Sequence, residues 1–362
     1  MKNLIITLGN CGTQIGKEIA SSSLLGEDAV SIYAIDSQTS NIDLNLVNRI
    51  KFIPIISDDK TGSGRNRERG AAMYKYHEEG GAFDKMYAEA MNAKSPVIVI
   101  TSAAGGTGSG ACVPACKALI DRGVQVIPII ICPNMEDPDA YHLNTTDLMV
   151  ELAEINVETY SIFRNQKNDA DYSPVNKEVV KLIEIILGKR YDATTKDSID
   201  DSDLDVVLSM PGRFMAVTAT ANDVDTLRKE LTRKVLNGFQ PAWTEEDAQN
   251  STFITALSLT STYADVDFKD VFADINSRIV NRYDELRNIC NSDNNGELTA
   301  TIIIAGLPGS KMKVIDSQFK QSAGIGSGMN RSARPSFMNR KKATVTSDKT
   351  EGGKITRQFN WK

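Results

Sequence analysis

The stretch VIVITSAAGGTGSGACVPAC, residues 97–116, passes from an apolar strand pattern through a glycine-rich turn into a helical pattern. A strand feeding a helix through such a turn is half of a β-α-β unit. Glycines at positions 105, 106, 108 and 110 let the main chain come close to a bound group. The first turn of the following helix offers unpaired N–H groups to an anion, and Thr107 and Ser109 add hydroxyl donors. The other reading of the same residues is a tight turn that holds nothing.

Outward from this stretch, apolar runs at 4–8, 30–35, 52–56, 97–101, 124–131 and 159–163 read as strands. Helical patterns fall between them at 15–22, 67–74, 83–91, 110–121 and 146–155. Strand and helix in alternation predict a parallel sheet covered on both faces, with ligands at the carboxyl ends of its strands. Two more glycine loops lie at such ends: LGNCGTQIG (8–16) and TGSGRNRERG (61–70). The latter carries Arg65, Arg67 and Arg69, which could meet a terminal phosphate. Loops at three strand ends suggest a triphosphate wrapped from several sides.

The run PVNKEVVKLIEIIL (174–187) opens with proline at a first-turn position and keeps one apolar face, the pattern of a long, largely buried helix. An acidic connection at 192–205 follows. A second unit then has strands at 215–220, 253–260 and 300–305 and helices at 223–236 and 268–287. Beyond Gly309 no period persists, and 321–362 reads as disordered or weakly ordered. The expected fold class is α/β: a parallel-sheet nucleotide-binding domain at 1–173, a central helix and loop at 174–203, a smaller α+β domain at 204–308, and a flexible basic tail at 309–362.

Of the 362 residues 41% are apolar and 24% charged, enough for a proper core. The net charge of −6 is unevenly spread: from Gly309 onward 12 Lys/Arg face 3 Asp/Glu, so a tail of about +9 follows a body of about −15. No run approaches the ~20 apolar residues of a membrane span. The N-terminus passes quickly from a short apolar run into a glycine turn, unlike a secretory signal, and a cytoplasmic location is expected. Five cysteines in apolar patterns read as free thiols. With only two histidines, and no second ligand pair near Cys112 and Cys116, neither a histidine triad nor a zinc site is expected. No GxxxxGK[ST] sequence occurs, which excludes a P-loop NTPase. A nicotinamide-dinucleotide enzyme is the alternative, since Asp36 follows the first glycine turn at the spacing that grips a ribose. The glycine-rich turn after strand 97–101 and the lack of a catalytic His or Lys/Tyr pair argue against it.

AGGTGSG at 104–110 closely resembles the tubulin/FtsZ signature GGGTG[ST]G, with Ala104 for the first glycine. CGTQIG at 11–16 is similar to the tubulin loop CGNQIG, and GSGRNRERG at 62–70 stands where the superfamily has its γ-phosphate-sensing loop. VETYSIFRN at 157–165 resembles the FtsZ sequence VDTLIVIPN. SIDDSD at 198–203 lies where the superfamily has NVDxx[DE], with Ser198 replacing the asparagine. The resemblance runs from residue 1 to about 308, by motif in the first half and by pattern in the second.

It implies a GTPase that binds GTP/GDP with Mg²⁺. The nucleotide would be held by Asn10, Cys11 and Gln14, by Gly62, Gly64, Arg65 and Asn66, by Ala104, Gly105, Gly106, Thr107, Gly108, Ser109 and Gly110, and by Asp139. Asn165 would hydrogen-bond guanine, Tyr172 would stack on it and Asn176 would read its edge. Asp200 and Asp203 would orient the attacking water on the nucleotide of a neighbouring subunit, which makes the chain its own partner in a head-to-tail filament. The residues 200–203 also read simply as a helix N-cap at Ser202 or Asp203.

The basic tail, with RSARPSFMNRKK at 331–342, is similar to that of TubZ, the plasmid and phage segregation branch. That branch implies a DNA-binding adaptor on the tail, and hence indirect contact with DNA. Its mix of Arg331, Arg334, Arg340, Lys341 and Lys342 with Phe337 suits an adaptor or nucleic acid. A phage spindle tubulin, a divergent FtsZ-type division protein, a GTP-binding scaffold without hydrolysis, and a tail that merely contacts its own acidic body remain as alternatives.

Overall fold

The computed structural model describes residues 2–26, 29–41, 49–57, 62–94, 96–166, 172–187, 199–243, 248–249, 251–261, 267–279, 281–291 and 297–307. Ser198 and the whole tail from 308, with its basic and aromatic residues, lie outside them. The first unit runs β1 (Asn3–Leu8), α1 (Gly9–Ser21), β2 (Val30–Asp36), β3 (Ile50–Pro54), α2 (Arg67–Glu79), α3 (Asp84–Ala90), β4 (Val97–Ser102), α4 (Thr107–Ile120), β5 (Val126–Cys132), α5 (Asp139–Glu154) and β6 (Thr159–Arg164). Helices α6 (Ser173–Leu187) and α7 (Asp201–Ser209) follow. The second unit has β7 (Gly212–Ala221), α8 (Val224–Asn237), β8 (Phe253–Ser261), α9 (Phe268–Asn276), β9 (Arg282–Asn291) and β10 (Leu298–Leu307).

These strands form one ten-stranded sheet in the order β3-β2-β1-β4-β5-β6-β7-β10-β8-β9. The first seven pair in parallel, β10 runs antiparallel to both β7 and β8, and β9 is a parallel edge strand on β8. Strands β1, β2 and β5 are buried at every residue, as a sheet covered on both faces requires. The strand period of two sorts their side chains: Leu4, Ile6 and Leu8 pack toward α2–α5, while Ile5 packs toward α1 and α6. Val175, Val179, Leu182, Ile183 and Ile186 of α6 share that second core with Phe214 of β7 and Ile303 of β10. One helix face thereby ties the two units together.

The units meet where β6 and β7 pair only through Thr159–Gly212 and Tyr160–Arg213. Beyond that the strands part, and the chain at 239–240 fills the gap. Arg164 N donates to the Phe239 carbonyl at 2.7 Å, and Gln240 bonds both Ala216 N and Ala216 O, at 3.2 and 2.7 Å.

Two expectations need correction. The helix expected at 268–287 ends at Asn276, and Arg282–Asn291 is strand β9. The open edge of β8 recruits this segment, so the tertiary partner overrides an ambiguous local pattern. Helices α1, α4 and α5 also begin earlier than expected, at Gly9, Thr107 and Asp139. Their first turns are glycine-rich or polar and carry no apolar period, because the N–H groups there need no intrahelical partner.

Candidate functional site

The carboxyl ends of β1, β2, β4 and β5 open into a cavity of about 560 Å³. Its wall includes Asn10, Cys11 and Gln14 from α1, Gly62, Gly64 and Arg65 ahead of α2, and Ala104, Gly105, Gly106, Thr107 and Gly108 after β4. Asn165, Tyr172 and Asn176 line it too. Gln14 Nε2 donates to Asn10 Oδ1 at 3.3 Å, so these side chains stand side by side on the first turns of α1.

Thr107 joins the loops. Its hydroxyl lies 2.9 Å from the hydroxyls of both Ser37 and Ser63. The glycines divide into two kinds. A Cβ on Gly106 would stand 2.4 Å from Ser63 Oγ and 2.6 Å from the Arg65 carbonyl carbon; one on Gly108 would stand 2.5 Å from the Leu8 carbonyl oxygen. Gly106 is glycine because loop packs on loop there, and Gly108 because the first turn of α4 packs on the ends of β1 and β4. Gly105 has nothing within 4 Å of such a Cβ, so its bare backbone leaves room open to the cavity.

The other end of the cavity holds amides. Asn165 follows β6, and its main-chain N donates to the Cys132 carbonyl at 3.1 Å. Asn176 sits in the first turn of α6, its N donating to the Tyr172 carbonyl at 3.1 Å and its Nδ2 reaching Glu18 Oε1 at 3.4 Å. Asn165 Oδ1 and Asn176 Oδ1 are buried with no hydrogen-bond partner. A buried acceptor left unpaired costs about 1–3 kcal/mol. Other unpaired buried atoms, such as Thr13 Oγ1, belong to residues that do not line the cavity. Tyr172 is exposed at the rim. Half-buried Cys11 has its thiol pushed up to about 12 by burial and by the Glu18 carboxylate.

Four residues expected at the ligand lie outside the wall. Asn66 caps α2, accepting from Arg69 N at 2.9 Å. Ser109 is buried and donates its hydroxyl to the Gly105 carbonyl. Gly110 packs against the Arg67 carbonyl, and Asp139 is exposed in the first turn of α5. Of Arg65, Arg67 and Arg69, only Arg65 lines the cavity. Arg67 is buried in a two-pronged pair with Glu151, at 3.0 Å on each prong, and Arg69 donates to Ser57 Oγ at 3.2 Å. The wall also contains Asp36, which sequence reasoning named only for the dinucleotide alternative, and Ser37, Gln38, Ser63, Ser102, Asp137 and Tyr141, which it did not name as ligand residues. The strand-end rule could have found Ser37 and Gln38, which directly follow Asp36, the last residue of β2. Asp137 and Tyr141 carry no such signal. Asp36 and Asp137 are the carboxylates lining the cavity among the described residues, and no cluster of three or more metal-ligating side chains occurs there.

Asp200 and Asp203 do not line the cavity. Asp200 is the N-cap of α7: its Oδ1 accepts from Asp203 N at 2.9 Å, while Asp203 Oδ2 accepts from Asp200 N at 3.0 Å. The cap is Asp200 rather than Ser202 or Asp203. Next to it, Asp201 Oδ2 meets Lys94 Nζ at 2.6 Å, and Lys94 N donates to the Lys2 carbonyl at 3.0 Å. Lys2 and Lys94 precede β1 and β4, so this acidic turn lies near the amino end of the sheet. The cavity is at the other end of the six-residue strand β1, about 20 Å away at ~3.3 Å per residue.

Four free cysteines are described: Cys11, Cys112, Cys116 and Cys132. No helix is long and apolar enough to cross a membrane among the described residues.

No protein-family model and no curated protein matches the sequence. Solved structures do match in fold. CetZ from Methanosaeta thermophila is 16% identical, with a TM-score of 0.67 over 90% of this chain and 92% of that one. TubZ of Clostridium botulinum phage c-st is 14% identical, with a TM-score of 0.68 over 90% and 98%. A GTPγS-bound protofilament of CetZ2 from Haloferax volcanii is 17% identical, with a TM-score of 0.68 over 90% and 99%. With its strand order, its shared central helix and the cavity at the strand ends, the chain has the fold of the tubulin/FtsZ superfamily.

Proposed function

We propose that the chain binds guanine nucleotide in this cavity, assembles head to tail, and hydrolyses GTP with acids supplied by the next subunit. The observation that carries the base assignment is the pair of buried, unpaired amide oxygens on Asn165 and Asn176. Guanine presents N–H donors along one edge that such acceptors suit, and Tyr172 stands at the rim for the ring. At the opposite end Gly105, Thr107 and Arg65 face a site for phosphates, at the start of α4. Mg²⁺ would be held chiefly by phosphate oxygens with one or two carboxylates, of which the cavity wall contains Asp36 and Asp137, each already accepting one main-chain hydrogen bond; it would neutralise charge on the phosphates.

Phosphoryl transfer needs a water oriented in line with the terminal phosphate. Asp200 and Asp203 are too far from their own cavity for this work, yet both lie toward the face that a head-to-tail neighbour would present to it. Finer assignments rest on the sequence alone: we propose a TubZ-like role, in which the basic tail takes a DNA-bound adaptor and the filament moves DNA. Pull-down of a small DNA-binding protein by the tail fused to a carrier, lost on Arg331, Arg334 and Arg340 to Glu, would support that role. Tail binding to the acidic body alone would oppose it.

Displacement of a fluorescent GDP analogue tests the site. GTP should compete at least tenfold better than ATP, about 1.4 kcal/mol. Equal competition by ATP would overturn the base assignment, and displacement by NADH alone would revive the dinucleotide alternative.

A further inference from the structure

Arg65 has a backbone that its side chain does not favour. Its φ is +63°, next to Gly64 at +59°. Among the described residues the other non-glycine with positive φ is Asn156, a residue type that tolerates this region; arginine is not one. Such an outlier persists only where its surroundings over-determine it. Two side chains of α5 do so here. Asn144 Nδ2 donates to the Arg65 carbonyl at 3.2 Å and to the Ala104 carbonyl at 3.0 Å, joining the two loops that carry the glycines. Tyr141 places its ring 5.0 Å from the Arg65 guanidinium carbon. The two residues are three apart on one helix, hence on one face. Both Arg65 and Tyr141 line the cavity, and no carboxylate pairs with the guanidinium among the described residues.

We propose that Tyr141 and Asn144 are positioning residues that hold Arg65 to read the last phosphate of the nucleotide, so that this clamp on α5 sets the preference for triphosphate over diphosphate. The inference rests on the guanine-nucleotide reading above. Stacking on tyrosine leaves the planar guanidinium fork free to donate to phosphate oxygens. The Asn144 bonds fix where that fork starts, relative to the loop after β4. A diphosphate would engage the glycine loop but leave Arg65 without a phosphate to contact.

The test measures affinities of GDP and GTPγS separately on the full chain. In Arg65→Ala, GTPγS should weaken about tenfold while GDP stays within about twofold. Asn144→Asp, which keeps the shape but loses the donor, should lower the GTPγS-to-GDP affinity ratio by about fivefold. Tyr141→Ala should do the same, whereas Tyr141→Phe, which keeps the ring, should retain the wild-type ratio. Unchanged GDP affinity serves as the check that each variant is folded. Parallel loss of both nucleotides, or an unchanged ratio, would overturn the clamp and leave the nucleotide site standing. Failure of the wild-type chain to bind either nucleotide would overturn the nucleotide reading and the clamp with it.

Discussion

The two ends of the parallel sheet carry opposite chemistry. At the carboxyl end stand glycines, hydroxyls, amide oxygens without partners and a stacked arginine. At the amino end the charged groups meet one another. Lys51 pairs with Glu89 at 2.6 Å, and Lys94 with Asp201 at 2.6 Å. Burial would raise the Glu89 pKa, but hydrogen bonds from Lys51, Tyr33 and Ser31 hold its carboxyl below the usual carboxylate range. One end offers a guanidinium and helix N–H groups to phosphates, and unpaired amide oxygens to the donors of a base. The other offers acids on a helix cap with no substrate beside them. Stacking two copies along the sheet would bring the two kinds together, and the proposed mechanism depends on that arrangement.

The largest effect should come from the acidic end. Because Asp200 caps α7, alanine there would also remove a cap worth about 1 kcal/mol, whereas asparagine still caps. Asp200→Asn with Asp203→Asn should therefore lower GTP turnover by on the order of a hundredfold or more, with melting temperature and GTP affinity close to wild type. Unchanged turnover would remove these acids from the mechanism.

At the carboxyl end the glycines should separate by kind. Gly105→Val points into open space; it should weaken GTP by tenfold or more in a chain that remains folded by circular dichroism. Gly108→Val drives a side chain into the Leu8 carbonyl and should cost stability before it costs binding. If Gly108→Val melted like wild type, the close packing of α4 on the ends of β1 and β4 would be wrong.

A smaller effect should follow at the base end. Asn176→Leu removes a buried unpaired oxygen, so the nucleotide-free chain should melt higher, by an amount reflecting about 1–2 kcal/mol. The same change should erode the preference for GTP over ATP. A lower melting temperature would mean that Asn176 is already satisfied within the fold. The smallest effect concerns Cys11. With its pKa raised to about 12, the thiolate is scarce at pH 8, so alkylation should be slow, should accelerate as pH rises, and should slow further with GTP bound. Fast alkylation at pH 8 would contradict the burial of this thiol.

Strand positions were legible because a sheet buried on both faces writes near-continuous apolar runs, as in VIPIIIC of β5. First turns of helices were not, since Gly9 to Gly12 and Thr107 to Gly110 form helix without any apolar period. Strand β9 was hidden because RYDELRNICN mixes charges with apolar residues, and only its pairing with β8 assigns it. In the site, the glycine motifs were readable, and Asn165, Tyr172 and Asn176, which the family resemblance supplied, line the same cavity. Arg67 was not, because its neighbour Glu151 lies 84 residues away in sequence and claims it in the fold. Tyr141 and Asn144 sit in an ordinary-looking helix, and only the positive φ of Arg65 brings them to notice.

Mixing two defective chains tests the shared site most directly. A chain with Asp200→Asn and Asp203→Asn should hold GTP but offer no acids, while a Gly105→Val chain should offer the acids but hold no GTP. Co-assembly is verified by sedimentation, and GTP turnover is then measured for each chain alone and for the mixture. Each variant alone should turn over GTP at a near-background rate, and the mixture should show a clear recovery, greatest near equal proportions. Co-sedimenting chains with no gain in turnover at any ratio would contradict a site built from two subunits.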